Sequence, residues 1–369
     1  MKINFNRLDR GYFKFKDEYD QAVIKTLESG WYILGERVEK VENSFKEFIG
    51  TRYCVGLNSG LDALILAFRV LNLEEKDEVI VPANTYIASI IGITENRAIP
   101  VFVEPDEFYN IDADKIEEKI TKKTKAILAV HLYGQAANME RIKEISTKYN
   151  LYLIEDCAQS HGAKFKNKTT GTWGDIGCFS FYPTKNLGAF GDAGAIVTDN
   201  QEIYEKIKML RNYGSRIKYQ NELVGVNSRL DEIQAALLSV KLSNYSELRK
   251  EREKIIDVYL NGLHGNKLIL PKLRKGSESV WHQFVVRVDN RDGFKNKMEE
   301  NGIKTQIHYP IPPHLSKAYE YLGFRRGDFP ITERYSDTII SLPLYDGMTE
   351  EEVAYVIDVV NKYGHIRGD

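Results

Sequence analysis

Apolar and polar positions in the middle of this chain follow two alternating patterns. From residue 78 to residue 156, short apolar runs are separated by segments with the spacing of amphipathic helices. The predicted strands are VIVPAN, IPVFVEP, KAILAVHLYG and LYLIED, and the predicted helices lie around YIASIIGITENR, ADKIEEKI and MERIKEISTKYN. Apolar strands that alternate with helices are typical of a mostly parallel sheet covered on both faces. We therefore predict an α/β fold.

The regions on either side of this sheet are predicted to be mainly helical. Residues 18–29 and a second segment around residues 38–48 have helical spacing, and the loop between them carries Tyr32. A short strand is predicted at residues 53–57, where the apolar run begins. A long helix is predicted from about residue 230 to residue 259, which is long enough to bridge two domains.

The last third of the chain has a different pattern. A strand-like run, QFVVRV, is followed by a charged helix, FKNKMEEN, a proline-bounded loop, IHYPIPPH, and a final helix, TEEEVAYVIDVVNKY. A chain of 369 residues exceeds the size of most single hydrophobic cores. We predict a large α/β domain with an N-terminal arm at residues 1–248 and a small α+β domain at residues 249–369.

Composition and charge exclude several classes of protein. The formal net charge of −2 offers no attraction for a polyanion, so nucleic acid is not an expected partner. The N-terminus is charged and no apolar run of about 18 residues occurs, so we expect a cytoplasmic protein with no membrane partner. Cys54, Cys157 and Cys178 are too few and too scattered for a disulfide framework or a zinc site, and no metal is expected.

Polar residues cluster where the predicted strands end. The run LYLI is followed directly by Glu155 and Asp156, and a second apolar segment, CFSFYPT, ends at Lys185 ahead of a glycine-rich run. In open α/β sheets ligands bind at the carboxyl ends of the strands, so these groups are expected around one crevice. A lysine taken alone in this position is more often a solvated surface residue.

A second candidate feature is the junction between the first strand and its helix. Small residues at a helix N-terminus allow backbone N–H groups to close on an anion, so Ser59 and Gly60 are candidates to hold a phosphate. The alternative is a plain helix cap made by Ser59 or Asp62. The sequence contains neither G-x-G-x-x-G nor the P-loop pattern, so neither a dinucleotide nor a P-loop nucleotide is indicated.

These groups match the requirements of pyridoxal phosphate (PLP) chemistry. A lysine amine forms a Schiff base with an aldehyde, and PLP is the cofactor that uses this bond to withdraw electrons. The site also needs an acid near the pyridine nitrogen, a phosphate cradle and an aromatic face. Asp156 could supply the acid, Ser59, Gly60 and Ser180 the cradle, and Tyr86 the face. The leading hypothesis is a PLP enzyme.

Two runs carry a resemblance to a known family. EDCAQSHGA at residues 155–163, and FSFYPTKNLG at residues 179–188 followed by GDAGA, resemble the DegT/DnrJ/StrS family of PLP-dependent nucleotide-sugar aminotransferases. The likeness extends from GWYILG at residues 30–35 to the C-terminal domain. It implies a fold-type-I aminotransferase, usually a homodimer with its two active sites at the interface.

The resemblance also implies roles for individual residues. It makes Lys185 the Schiff-base lysine, Asp156 the partner of the pyridine nitrogen and Gln159 a contact to the ring 3′-oxygen. It makes Tyr86 the aromatic residue that stacks on the ring. The implied phosphate contacts are Ser59, Gly60 and Ser180, with Asn227 from the other subunit. Some relatives carry histidine in place of this lysine and dehydrate their sugar, and Lys185 excludes that branch.

The implied reaction transfers an amino group from L-glutamate to a nucleotide-linked keto sugar. NSGLDAL and HLYGQ resemble members acting at C3 of dTDP-linked 3-keto-6-deoxyhexoses, so we expect dTDP-3-amino-3,6-dideoxy-glucose or -galactose as product, with 2-oxoglutarate. The residues expected to contact the sugar are Tyr182, His308, Tyr309 and Tyr32, although a purely structural turn at residues 308–309 is an equal alternative.

Two other functions remain open at this point. One is a C4 aminotransferase acting on a UDP- or dTDP-4-keto sugar, although members of that kind usually carry a threonine-like residue where Leu61 stands. The other is a PLP-binding regulator without catalysis. The complete set of lysine, acid and phosphate groups argues against the regulator.

Overall fold

The computed structural model describes residues 1–265 and 268–364 of the chain. Its strands are β1 Tyr53–Leu57, β2 Glu78–Pro82, β3 Ile99–Val103, β4 Thr124–Val130, β5 Tyr152–Asp156, β6 Lys164–Phe165, β7 Lys168–Thr169, β8 Ile176–Ser180, β9 Gly194–Thr198, β10 Ser215–Ile217, β11 Gln220–Asn221, β12 Ser277–Glu278, β13 Phe284–Arg287 and β14 Ile339–Leu342. Its α-helices are α1 Leu8–Lys14, α2 Lys16–Ser29, α3 Glu36–Ile49, α4 Gly60–Val70, α5 Ile87–Thr94, α6 Met139–Lys148, α7 Gln201–Leu210, α8 Glu232–Ser243, α9 Tyr245–Gly262, α10 Arg291–Glu300, α11 Pro330–Thr338 and α12 Glu350–Tyr363.

The main sheet has seven strands in the order β1-β9-β8-β5-β4-β2-β3. The pairs from β8 to β3 are parallel, whereas β9 runs antiparallel to both β1 and β8. A parallel neighbour requires a crossover, usually a helix. The segment between β8 and β9 contains no helix, so the chain turns back and pairs antiparallel. The predicted mostly parallel sheet is confirmed, with β9 as the exception.

Both faces of the sheet are covered. Val79 and Val81 of β2 pack in one hydrophobic cluster with α4 and α5, whereas Ile80 between them packs in another with α6. Successive residues of a strand point to opposite faces, so this division places helices on both sides of the sheet. It explains why these strands are apolar at every position.

The C-terminal part forms a further hydrophobic cluster. Residues of α9, α10, α12, β13 and β14 pack together, and Ile3 from the start of the chain is fully buried among them. Ile3 bridges to Ile303, and its backbone N–H donates to the carbonyl of Gly302 at 2.8 Å. The division into two domains at residue 248 stays a prediction.

Two predicted helices differ from the structure. The helix expected from residue 230 to 259 is interrupted at Asn244, whose backbone is not helical and whose side chain donates to the carbonyl of Val240 at 3.0 Å. Asparagine readily makes such local bonds, and this favours a helix end. The segment ADKIEEKI forms two short 3₁₀ turns, and Asp112 caps the first of them by accepting from the N–H of Asp114.

No helix within the described residues has both the length and the apolar character needed to cross a membrane.

Candidate active site

A cavity of about 470 Å³ lies at the carboxyl ends of β4, β5 and β8, beside the N-termini of α4 and α5. This is the position expected for a ligand in an open α/β sheet. Ten of the twelve predicted site residues line it, namely Ser59, Gly60, Tyr86, Asp156, Gln159, Ser180, Tyr182, Lys185, His308 and Tyr309. The fold therefore brings together residues that are up to 250 positions apart in the chain.

Asp156 is held at the end of β5 by hydrogen bonds to both carboxylate oxygens. Ser89 donates its hydroxyl to Oδ2 at 2.8 Å, and the backbone N–H of Ala158 donates to Oδ1 at 3.1 Å. The Ser89 hydroxyl also lies 2.7 Å from that of Thr85. Ser89 and Thr85 therefore fix the orientation of this carboxylate in the cavity wall, a role that the sequence did not indicate for either residue.

Lys185 lies in the turn that follows β8, where its backbone N–H donates to the carbonyl of Tyr182 at 2.8 Å. Burial lowers the pKa of Lys185 to about 8, because an ammonium ion is poorly solvated in the cavity, while the Asp156 carboxylate opposes this shift. A substantial fraction of the amine is therefore neutral near pH 8. A neutral amine is the form that attacks a carbonyl carbon.

The phosphate candidates meet at the N-terminus of α4. Gly60 begins this helix, and a Cβ placed on it would lie 2.4 Å from the Cβ of Ser180 and 2.9 Å from its Cα. Only glycine permits this approach. Ser59 also caps the helix, since its Oγ accepts from the N–H of Asp62 at 3.1 Å, so the capping alternative holds for Ser59. The first N–H groups of α4 and the Ser180 hydroxyl can still face an anion together.

Gln159 is hydrogen-bonded to two tyrosines, of which Tyr309 lines the cavity. Its Oε1 accepts from the backbone N–H of Tyr133 at 2.6 Å, and its Nε2 donates to the hydroxyl of Tyr309 at 3.0 Å. The Tyr309 ring lies 4.8 Å from the ring of Tyr86, centroid to centroid. Residue 309 is thus tied to the cavity by a specific contact, which favours a functional role for the loop at residues 308–309.

His308 is fixed in the same loop. Its Nδ1 lies 2.8 Å from the hydroxyl of Ser341, and its backbone carbonyl accepts from the hydroxyl of Tyr133. Burial lowers the pKa of His308 to about 4, and the charge of Lys185 adds to the shift. The imidazole is therefore neutral at physiological pH.

Two predicted residues do not line the cavity. Tyr32 is half exposed and its hydroxyl donates to the carbonyl of Leu27 at 3.3 Å. Asn227 is exposed in the loop before α8. The role given to Asn227 concerns a second subunit, and both assignments stay predictions.

The structure adds residues to which the sequence analysis assigned no role. His131, Thr184, Asp192, His282, Gln283 and Gln306 also line the cavity. His131 stands at a predicted strand end, and Thr184 and Asp192 stand in the motifs around Lys185, so the sequence already placed these three near the crevice. His282, Gln283 and Gln306 belong to the C-terminal part of the chain, and no local pattern links that part to the strand ends of the main sheet.

His161, within the EDCAQSHGA motif, lies directly behind the cavity wall. Its Nε2 lies 2.9 Å from the carbonyl oxygen of Ser180, to which it donates. Burial lowers the pKa of His161 to about 3, so the ring is neutral. This bond anchors the end of β8, from which Ser180 faces the N-terminus of α4.

One cluster has the composition of a metal site but not the free ligands. The ligand atoms of His131, Glu155 and Cys157 lie within 4.8 Å of one another. The Glu155 carboxylate, however, accepts from three backbone N–H groups at 2.7 to 2.8 Å, those of Gly171, Trp173 and Gly174. His131 Nε2 donates to it at 2.9 Å. A carboxylate with four donors is saturated, so this cluster orders the strand end.

These features fit PLP. The cavity combines an amine of lowered pKa, a buried carboxylate fixed by two donors, and a glycine-permitted cradle at a helix N-terminus. These three features, together with the topology of the sheet, define the class of PLP-dependent fold-type-I aminotransferases.

The chain belongs to the DegT/DnrJ/EryC1/StrS aminotransferase family, whose model matches residues 14–361. It is 51% identical over 364 residues to the dTDP-3-amino-3,6-dideoxy-alpha-D-galactopyranose transaminase of Aneurinibacillus thermoaerophilus, covering 98% of this chain and 100% of that protein. The protein is thus an enzyme, an aminotransferase, and its cofactor is PLP.

Two solved structures are similar over nearly the whole chain. One is DesV of S. venezuelae in complex with a ketimine intermediate, with a TM-score of 0.97, 40% identity and full coverage of both chains. The other is NtdA of Bacillus subtilis with bound PMP, with a TM-score of 0.92 and 31% identity, covering 98% of this chain and 85% of that one. PMP is the aminated form of PLP. The alternative of a PLP-binding regulator without catalysis is set aside, because the family to which the chain belongs is a family of aminotransferases.

Proposed function

We propose that this aminotransferase transfers an amino group from L-glutamate to a dTDP-linked 3-keto-6-deoxyhexose. The products are 2-oxoglutarate and dTDP-3-amino-3,6-dideoxy-galactose or its glucose epimer. The observation that carries the proposal is the 51% identity, over the full length of the relative, to a transaminase named for the galactose compound. Leu61, which lines the cavity, also favours a C3-acting enzyme over a C4-acting one.

The residues of the cavity are assigned as follows. When bound, PLP supplies an electron sink beside the reacting carbon. Asp156 would hold the proton on the pyridine nitrogen, and Gln159 would bind the 3′-oxygen of the ring. Ser59, Gly60 and Ser180 would hold the phosphate, and Tyr86 would lie against the ring. The Lys185 amine would hold the cofactor and would also carry the proton at the substrate carbon.

The keto sugar is assigned to Tyr182, His308 and Tyr309, which line the same cavity. The hydroxyls of the two tyrosines and the imidazole nitrogens of His308 are groups that can hydrogen-bond to sugar hydroxyls. His308 is neutral and Tyr309 is tied to Gln159, so both present fixed, uncharged partners. Fixed neutral groups suit a sugar ring, whose recognition depends on the direction of its hydroxyls.

We further propose a homodimer with each active site at the interface. Large apolar side chains are exposed near Tyr32 and Asn227, among them Trp31 at 62%, Val224 at 91% and Tyr219 at 85% of their surface. Exposed apolar side chains mark a protein interface where they form one contiguous patch, which is what the proposal requires of these residues. Burial of the hairpin β10–β11 and of residues 31–33 against a second copy would carry Asn227 towards that copy's phosphate site.

The test is an assay with product analysis. The purified holoenzyme is incubated with glutamate and, separately, with the gluco and galacto dTDP-3-keto-6-deoxyhexoses and with dTDP- and UDP-4-keto sugars. We expect amination at C3 of one 3-keto epimer and little turnover of the 4-keto sugars. Efficient amination at C4 would overturn the assignment in favour of the alternative.

A further inference from the structure

His282 is a buried histidine that lines the cavity but is assigned neither to the cofactor nor to the keto sugar. It lies just before β13, in the C-terminal part of the chain, and is 7% exposed. It contributes to the cavity that holds Lys185 and to a neighbouring polar cavity that also includes Thr184 and His308. The ring thus stands where the two cavities meet.

The hydrogen bonds of Asn186 determine which ring nitrogen of His282 carries the proton. The Asn186 amide nitrogen donates to the carbonyl of Val280 at 2.6 Å, which fixes the orientation of the amide. Its Oδ1 then lies 3.0 Å from Nδ1 of His282. An amide oxygen can only accept, so Nδ1 carries the hydrogen and Nε2 carries a lone pair.

The second nitrogen is free to bind a ligand. Within residues 1–265 and 268–364, Nε2 of His282 has no hydrogen-bond partner, and it is not sealed from the cavity. Burial holds the pKa of His282 well below its usual range, and Lys185 and Arg252 add to the shift. The ring therefore presents an uncharged acceptor beside Lys185.

The chemistry of the two substrates decides which of them this acceptor can bind. Glutamate has one donor group, its α-ammonium, and this nitrogen is the group that reacts with the cofactor in transamination. The carboxylates of glutamate and the phosphates of a nucleotide sugar offer only acceptor oxygens at neutral pH, which a lone pair does not bind. A sugar hydroxyl can donate. We propose that Nε2 of His282 accepts a hydrogen bond from a ring hydroxyl of the keto sugar, and that Asn186 sets the tautomer for this contact. The inference rests on the proposed function.

Two matched variants separate this contact from a structural role. His282→Asn keeps a donor near the position of Nδ1 but removes the acceptor at Nε2, whereas His282→Gln places an amide oxygen near Nε2. The glutamate half-reaction starts from the PLP form, and so does the sugar half-reaction when it is run in reverse from the dTDP-amino-sugar product. Both change the visible absorbance of PLP, so the two ligands can be compared by rapid mixing. His264→Asn, at an exposed histidine outside the cavity, is the control.

We expect His282→Asn to weaken apparent binding of the dTDP-amino sugar by about five- to twentyfold, because one hydrogen bond is lost. The apparent binding of glutamate should change by less than about twofold. His282→Gln should recover most of this loss, and His264→Asn should match the wild type. Equal loss for glutamate and sugar in both variants, or no loss in either, would overturn the inference. A wild-type enzyme unresponsive to the dTDP-amino sugar would instead refute the proposed function.

Discussion

Lys185 and Asp156 face the same cavity, but different surroundings act on them. Burial favours the neutral form of the lysine, whereas hydrogen bonds from Ser89 and Ala158 fix the position of the Asp156 carboxylate. The site therefore holds an amine ready to react and a carboxylate ready to pair with a protonated ring.

The amine is expected to be essential. Lys185→Ala removes both the attachment point and the proton carrier, so turnover should fall by roughly 1,000-fold or more. The measurement is steady-state amination, with a thermal melt to show that the variant is folded. Turnover near the wild-type rate would contradict the assignment of Lys185.

The lowered pKa of Lys185 sets a pH dependence. The amine is protonated and unreactive below its pKa and neutral above it, so the rate at which the apoenzyme captures PLP should rise with pH through about 8. An unperturbed lysine would give the same rise near pH 10.4. Absorbance at the Schiff-base band follows the reaction, and a midpoint near the unperturbed value would contradict the burial argument.

At the scale of elements, the site depends on how closely α4 approaches β8. Most of this close packing of α4 against β8 could not be predicted from the sequence. The strand ends and the motif around Lys185 predicted one crevice correctly, because apolar strands and polar ends are local patterns. The contact between Gly60 and Ser180, the support of Asp156 by Ser89, and the position of His282 arise from packing between distant segments, which no local pattern encodes.

Gly60→Ala tests this approach. The added Cβ would meet Ser180 at 2.4 Å, so the helix N-terminus must move, and we expect PLP affinity to fall by about tenfold or more. Gly11→Ala is the matched control, because no atom lies closer than 4.0 Å to the new Cβ. Titration of the apoenzyme with PLP gives both affinities, and unchanged affinity in Gly60→Ala would remove this helix end from the phosphate site.

The cap of α7 tests an element outside the site. The Asn200 side chain accepts from the backbone N–H groups of Glu202 at 2.8 Å and Ile203 at 3.2 Å. Asn200→Ala should cost about 1 kcal/mol of stability and lower the melting temperature by about 2 °C, with turnover unchanged. A loss of turnover at temperatures well below the melt would show that α7 also serves catalysis.

At the scale of the molecule, the proposed dimer makes each active site depend on two chains. Coexpression of Lys185→Ala with Asn227→Ala tests this dependence. In a mixed dimer one site receives both defects and the other receives none. If subunits pair at random, about a quarter of wild-type activity should return, above the mean of the two parent variants. Activity equal to that mean would place Asn227 outside a shared site.

The burial of Ile3 has a consequence for how the chain is made. Its backbone bonds to Gly302 and Lys304, so the segment around Ile3 is synthesised nearly three hundred residues before the segment with which it pairs. Until then Ile3 has no native partner, and contacts of such long sequence separation form slowly. Completion of the C-terminal core is therefore a late event during translation, and pulse-labelled nascent chains stopped before residue 302 should leave the segment around Ile3 open to proteases.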